Sequence, residues 1–124
     1  MDMKNIRILS IDDEENFTDM IKQYFDLRGY KIDIAHDGVI GLELFRKYNH
    51  AVVLLDLKMI GLNGDEVMRE IKKIKPDTKI IFITAFSDSG KTKNRLMEEG
   101  AYGYFEKPLQ SLKILEESIK NAVS

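Results

Sequence analysis

Val52-Val53-Leu54-Leu55-Asp56-Leu57-Lys58-Met59-Ile60-Gly61-Leu62-Asn63-Gly64 decides the fold of this chain. Four aliphatic residues in unbroken succession read as a short strand covered on both faces, because a strand with one wet face alternates apolar with polar. The run stops at an acid. A loop from Gly61 to Gly64 then leads into a helical pattern with Val67, Ile71 and Ile74 on one side, closed before Pro76. A buried strand, a loop and a helix make one unit of an α/β layer.

The same unit repeats in both directions. Upstream, Ile6-Arg7-Ile8-Leu9-Ser10-Ile11 runs into Asp12-Asp13 and a helix over Glu14 to Arg28, with Phe17, Met20, Ile21, Tyr24 and Leu27 at helical spacing and Gly29 as its C-cap. Tyr30, Ile32 and Ile34 alternate with Lys31 and Asp33, the pattern of a half-exposed edge strand. Asp37-Gly38 opens a helix with Val39, Leu42, Phe45 and Tyr48 inward. Downstream, Lys79 to Thr84 is a buried strand. Ser87 to Glu99 is a weak helix in which only Leu96 and Met97 are clearly apolar and Ser87 to Gly90 reads as loop, so it is expected to be the least firmly held element. Ala101 to Phe105 is the last strand, followed by Lys107-Pro108 and a helix with Leu112, Leu115, Ile119 and Ala122 buried and Ser111 available as N-cap. Alternating units with short connections imply parallel strands joined by right-handed crossovers. The fold class is α/β, a flavodoxin-like doubly wound five-stranded parallel sheet in the order 2-1-3-4-5 with five helices. Such a sheet takes its ligand outside the carboxyl ends of the strands, between the first and third. Those strands end in Asp12-Asp13 and Asp56.

Composition narrows the class. The chain has 124 residues, 44% hydrophobic and 32% charged, enough for a packed domain and too apolar for a disordered one. Residues 1–124 read as a single domain without linker or repeat. A net charge of −2 gives no general attraction to nucleic acid or to an anionic membrane, and no helix carries a basic recognition pattern. There is no cysteine, which excludes disulfides and thiolate metal sites. The N-terminus has no apolar core of signal-peptide length and no segment is long enough to span a bilayer, so the cytoplasm is the expected location.

Asp12, Asp13 and Asp56 at one sheet edge repel one another. A divalent cation relieves the repulsion, and Lys107 adds an ammonium beside it. An edge of this kind suits phosphoryl transfer to an aspartate. Taken singly, each residue has a plainer reading. An acidic pair before a helix serves as cap and dipole partner. Asp56 forms a turn, Lys107 lies on the surface, Thr84 is a strand residue and Tyr104 a core aromatic.

Together, Asp12-Asp13, Asp56, Thr84, Lys107-Pro108 and the phrase Asp56 to Gly64 resemble the receiver domain of two-component response regulators, over essentially the whole chain. The resemblance implies that Asp56 is the phospho-acceptor and that Mg²⁺ is held by Asp13, Asp56 and the backbone carbonyl of Lys58, with Asp12 acting through water. It implies a cis Lys107–Pro108 bond that aims the ammonium inward. It implies a switch in which the Thr84 hydroxyl moves to the phosphoryl oxygens and Tyr104 swings inward. The donor would be a histidine kinase or histidine phosphotransfer protein. The output would be a protein target on the face of the fourth helix, last strand and last helix. The chain would catalyse only its own phosphorylation and autodephosphorylation.

The family usually has proline where Ile60 stands, which should loosen the loop after Asp56. Lys58 and Phe86 flank the expected phosphoryl position, and Phe86 is expected to shield the acyl phosphate. His36 and His50 read as surface residues. Both a stand-alone regulator and a receiver belonging to a larger transcriptional regulator or hybrid kinase fit the residues. An aspartyl-phosphate phosphohydrolase would place an aspartate where Lys58 stands. A flavin carrier would need phosphate-binding N–H donors where Asp12-Asp13-Glu14-Glu15 stands.

Overall fold

The structure is a computed structural model describing residues 5–124. Five parallel strands lie in the order β2-β1-β3-β4-β5: β1 Arg7–Ile11, β2 Lys31–Ala35, β3 Val52–Leu55, β4 Lys79–Thr84 and β5 Gly103–Glu106. The helices are α1 Glu15–Leu27, α2 Gly38–Tyr48, α3 Gly64–Ile74, α4 Lys91–Glu98 and α5 Leu112–Val123. The order and class are those expected from the sequence.

Strand alternation divides the core in two. Leu9, Ile11, Val53, Leu55, Ile80 and Phe82 face one side and pack with α2, α3 and Leu96 of α4. Ile8, Val52, Leu54, Ile81 and Ile83 face the other and pack with Phe17, Ile21 and Phe25 of α1 and with Leu115 and Ile119 of α5. Each fully buried aliphatic or aromatic side chain contributes roughly 1.5–3 kcal/mol. α4 buries one such side chain, Leu96, where α1 buries three. It is accordingly the most weakly packed helix, as its sequence implied.

Several expectations are corrected. Met20 and Leu27 are exposed, Leu27 at 81%, and Phe25 takes the inward position in α1. Val39 and Ile74 are also exposed, replaced inside by Gly41 in α2 and Met68 in α3. These residues sit at the margins of wide helical faces, where spacing alone does not fix burial. α1 and α4 are shorter than read, and Gly29 lies one residue past the C-cap Arg28, with φ 87°. β5 starts two residues later than expected. His50 is not a surface residue but fully buried, stacked on Phe45 and bonded to Asp33. His36 is exposed, as expected.

Asp37 caps α2 by accepting from Ile40 N–H, and Ser111 caps α5 by accepting from Ile114 N–H. At Gly64 a Cβ would collide with the Asp56 carbonyl oxygen and lie 2.9 Å from Leu57 Cα. Only glycine lets α3 start that close to the end of β3.

Candidate functional site

The sheet ladder runs one residue beyond the strands and thereby places the site. Asp12 N–H donates to Ala35 O at 3.0 Å, Asp56 N–H to Ile11 O at 3.0 Å, and Lys107 N–H to Thr84 O at 2.8 Å. Each functional side chain therefore leaves from a backbone already fixed by its neighbour. Because Ile11 pairs with Leu55, Asp12 and Asp56 emerge side by side.

Asp12, Asp13 and Asp56 each offer a carboxylate oxygen, and these oxygens lie within 4.8 Å of one another. Asp12 and Asp56 are buried, whereas Asp13 is exposed. Three oxygen donors from carboxylates suit a hard divalent cation. The electrostatics point the same way. Burial, and then the charge of Asp12, push the Asp56 carboxyl above its ordinary value, while the Thr84 hydroxyl, the charge of Lys107 and the Leu57 N–H pull against that rise. A cation bound here would offset the desolvation and repulsion that Asp56 bears when ionised.

Lys107 reaches this group from the far side. Its Nζ donates to Asp12 Oδ2 at 2.7 Å and to Glu14 Oε1 at 3.2 Å, and lies 4.4 Å from the centre of the Phe17 ring. Burial alone would lower its pKa, but the bond to Asp12 and the charges of Asp12 and Asp56 outweigh it and raise it. The Lys107–Pro108 peptide is cis. Asp12 is used twice, since its Oδ1 accepts from Glu14 N–H at 2.9 Å at the entrance to α1. That bond closes a turn onto the N-cap residue Glu14, so Asp12 does not cap α1 as its plainer reading would have it.

Thr84 is buried at the end of β4, and its Oγ1 accepts from Phe86 N–H at 3.2 Å. Tyr104 is half-buried against the α2–α3–α4 side of the core and donates its hydroxyl to Phe86 O at 3.0 Å. Phe86 is thus held at its N–H by one expected switch residue and at its carbonyl by the other. Lys58 Nζ lies 4.7 Å from the centre of the Phe86 ring. Asp13, Glu14, Asp56, Lys58, Thr84, Phe86 and Lys107 line one shallow pocket. Ile60, in the loop after β3, is 88% exposed. Of the residues expected at the site, Asp13, Asp56, Lys58, Thr84, Phe86 and Lys107 line this pocket, Asp12 bonds to Lys107, and Tyr104 bonds to Phe86. Glu14 was passed over, although it directly follows the acidic pair.

The family model of the response regulator receiver domain matches residues 8–119. Among curated proteins, the chain is 33% identical over 113 residues to an uncharacterized transcriptional regulatory protein, YkoG, of Bacillus subtilis, covering 91% of this chain and 49% of that one. It is 30% identical over 106 residues to the sporulation initiation phosphotransferase F of Bacillus subtilis, covering 86% and 85%. The chain spans about half or less of the length of the transcriptional regulators it matches. Among solved structures, it is similar to the response regulator protein TrrA of Thermotoga maritima in complex with Mg²⁺-BeF, with 37% identity, TM-score 0.81 and coverage of 94% and 98%. It is likewise similar to a receiver domain protein of Clostridium thermocellum, with 34% identity, TM-score 0.85 and coverage of 95% and 94%.

Proposed function

The chain belongs to the response regulator receiver family of two-component signalling, and on that premise we propose that Asp56 is the residue that takes up the phosphoryl group. The observation that carries this reading is the pocket at the end of β3: three carboxylates with oxygens within 4.8 Å and one ammonium. Asp13 and Asp56, with the Lys58 backbone carbonyl, would hold Mg²⁺, and Asp12 would act on it through water. The ion would supply positive charge for the phosphoryl oxygens. The Mg²⁺-BeF complex of the similar Thermotoga maritima regulator supports that choice of ion.

In the transfer, a carboxylate oxygen of Asp56 attacks the phosphorus of a phosphohistidine on a histidine kinase or histidine phosphotransfer protein. A P–O bond forms, the P–N bond breaks, and the imidazole leaves. The loose transition state asks for position and compensating charge rather than for a strong nucleophile. The ladder bond from Asp56 N–H fixes the position, and Lys107 meets the negative charge. The Thr84 hydroxyl then turns to donate to a phosphoryl oxygen. Phe86 N–H loses its acceptor, and the disturbance reaches Tyr104 through the carbonyl that now accepts its hydroxyl. Tyr104 moves inward, and the face of α4, β5 and α5 changes for a downstream protein target. The phosphoryl group biases this two-state element only through its different contacts in the two states.

Residues 1–124 act as one receiver unit, in the cytoplasm, without contacting nucleic acid or membrane themselves. Among the described residues no helix is long and apolar enough to cross a membrane. Its catalysis is confined to its own phosphorylation and dephosphorylation. Relatives of both kinds, a phosphotransferase of similar length and longer transcriptional regulators, leave two outputs, relay and transcription. The test is intact mass after incubation with acetyl phosphate and Mg²⁺. Wild type gains one phosphate and Asp56→Asn none. A beryllofluoride adduct likewise requires Mg²⁺ and Asp56. Equal phosphate uptake by Asp56→Asn would refute the assignment.

A further inference from the structure

Lys107 is committed before any donor arrives. An ammonium has three hydrogens. Here Asp12 and Glu14 accept from it and the Phe17 ring lies against it, while among the described residues it makes no ion pair with Asp56. Two of these neighbours, Glu14 and Phe17, belong to the start of α1. To meet a phosphoryl group on Asp56, Lys107 has to give up part of this arrangement.

Asp12 and Phe17 have other duties. Asp12 accepts from Glu14 N–H, and Phe17 is core. The Glu14 carboxylate has none. Glu14 stands at the N-cap position of α1, but its side chain makes no capping bond. Its backbone carbonyl accepts the first helical bonds, from Phe17 N–H at 3.1 Å and Thr18 N–H at 3.2 Å. Its side chain is 57% exposed, lines the pocket and, among the described residues, bonds to Lys107 alone. It is also a fourth carboxylate beside Asp12, Asp13 and Asp56, at the point where an anionic donor enters.

We propose that Glu14 is a positioning residue that holds the Lys107 ammonium on the α1 side of the pocket and, by its charge at the mouth, selects against small dianionic phosphate donors. The inference rests on the reading of Asp56 as phospho-acceptor. Glu14→Gln keeps size and the backbone bonds of the first helical turn while removing the charge. Loss of one exposed ion pair corresponds to a rate change of about two- to fivefold. That gain is expected in the rate of phosphate uptake from acetyl phosphate, a dianion. A smaller gain is expected with phosphoramidate, which carries one net negative charge. The difference between donors shrinks as added salt shortens the Debye length from about 10 Å toward 3 Å.

A second measurement needs neither metal nor donor. The ¹⁵N resonance of the Lys107 ammonium in the metal-free protein shifts in Glu14→Gln, and Tm changes little because the Glu14 side chain makes no capping bond and its ion pair is largely exposed. Unchanged acetyl phosphate kinetics, equal gains for both donors, or an unmoved Lys107 resonance would each overturn the proposal. Failure of the Asp56 assignment looks different: wild type itself gains no phosphate on Asp56, while the resonance still reports the Lys107–Glu14 pair.

Discussion

The two ends of the sheet both hold buried or half-buried charge, and they treat it in opposite ways. At the amino end, Asp33 accepts from Arg7 at 2.8 and 3.2 Å and is bonded to His50 at 2.7 Å, and the Arg7 guanidinium lies 3.6 Å from the centre of the Tyr48 ring. One carboxylate answers one guanidinium and one imidazole. Burial would raise the Asp33 carboxyl, but the bonds to Arg7 and His50 prevail and hold it below the ordinary carboxylate value. At the carboxyl end, Asp12, Asp13 and Asp56 crowd together, Lys107 is drawn to Asp12 and Glu14, and Asp56 is pushed up. A structural charge cluster is balanced within the fold. A cluster left in excess by the fold is a candidate site for something brought from outside.

The largest effect that separates the ends is chemical. Asp56→Asn abolishes phosphate uptake, read by intact mass, while Asp33→Asn leaves uptake within about twofold, the scale of a change outside the transition-state contacts. Loss of uptake in both variants would break the contrast.

The reverse holds for stability. Asp33→Ala leaves Arg7 and a fully buried His50 without their acceptor, and is expected to cost about 2–3 kcal/mol. For a domain of this size that lowers Tm by about 8–12 °C in a thermal melt. Glu116 offers a parallel case between α1 and α5. It is buried and accepts from Tyr24, Arg28 and Tyr30 at 3.0, 2.8 and 2.8 Å, so Glu116→Ala should be similarly costly with uptake preserved. Asp56→Asn should instead raise Tm at neutral pH. Mg²⁺ at ten times its dissociation constant should stabilise wild type by about 1.4 kcal/mol and Asp56→Asn by less.

Acid titration gives the next contrast in sign. Asp33 and Glu116 are held below their ordinary values of 3.8 and 4.5, Glu116 because its bonds to Arg28, Tyr30 and Tyr24 overcome its burial. Their stabilisation is present above those ordinary values and is lost as pH falls through the folded-state pKa. His50 is depressed from 6.5 by burial, with Asp33 opposing, so the fold also begins to lose stability as pH drops below 6.5. Asp56 acts oppositely: its contribution is complete below 3.8 and is lost as pH rises through its elevated folded-state pKa. The Tm advantage of Asp56→Asn should therefore be present at pH 7 and gone at pH 3. An advantage that persists at pH 3 would point to packing instead of charge.

The carboxyl end was legible in the sequence and the amino end was not. Asp12, Asp13, Asp56 and Lys107 each follow a strand, and in a parallel sheet the ends of strands are neighbours by topology. No side-chain detail is needed to bring them together. Asp33 and His50 lie 17 residues apart, and His50 is buried only because Asp33 and the rings of Phe45 and Tyr48 enclose it. Without that partner the histidine read as surface. Glu116 left a trace that was readable in principle. It directly follows Leu115 and precedes Ile119 by three residues, inside the buried stripe of α5, where an acid implies donors packed against it. The helix margins failed for a related reason. Whether Met20 or Phe25 turns inward depends on the strand beneath, which periodicity does not contain.

The smallest effect tests how open the unbalanced end is. His50 is fully buried and Asp33 half-buried, but Asp56 faces a shallow pocket lined by Phe86, with the Lys58 ammonium 4.7 Å from its ring centre. Phe86 can slow hydrolysis in two ways. Its ring lines the pocket and would obstruct water approaching an acyl phosphate there, and it keeps the Lys58 ammonium beside it. An exposed cation–π contact is worth about 0.5–1 kcal/mol, which corresponds to a factor of about two to five in rate. Phe86→Ala should shorten the half-life of phospho-Asp56 by that factor, followed by the decay of the phosphorylated mass. Phe86→Leu keeps bulk without the π face, so it divides the two causes: a half-life near wild type assigns the effect to obstruction, and one near Phe86→Ala assigns it to Lys58. If neither variant changes the half-life, the phosphoryl group is already reached by water from another side. Phe86 then serves only as the link between Thr84 and Tyr104.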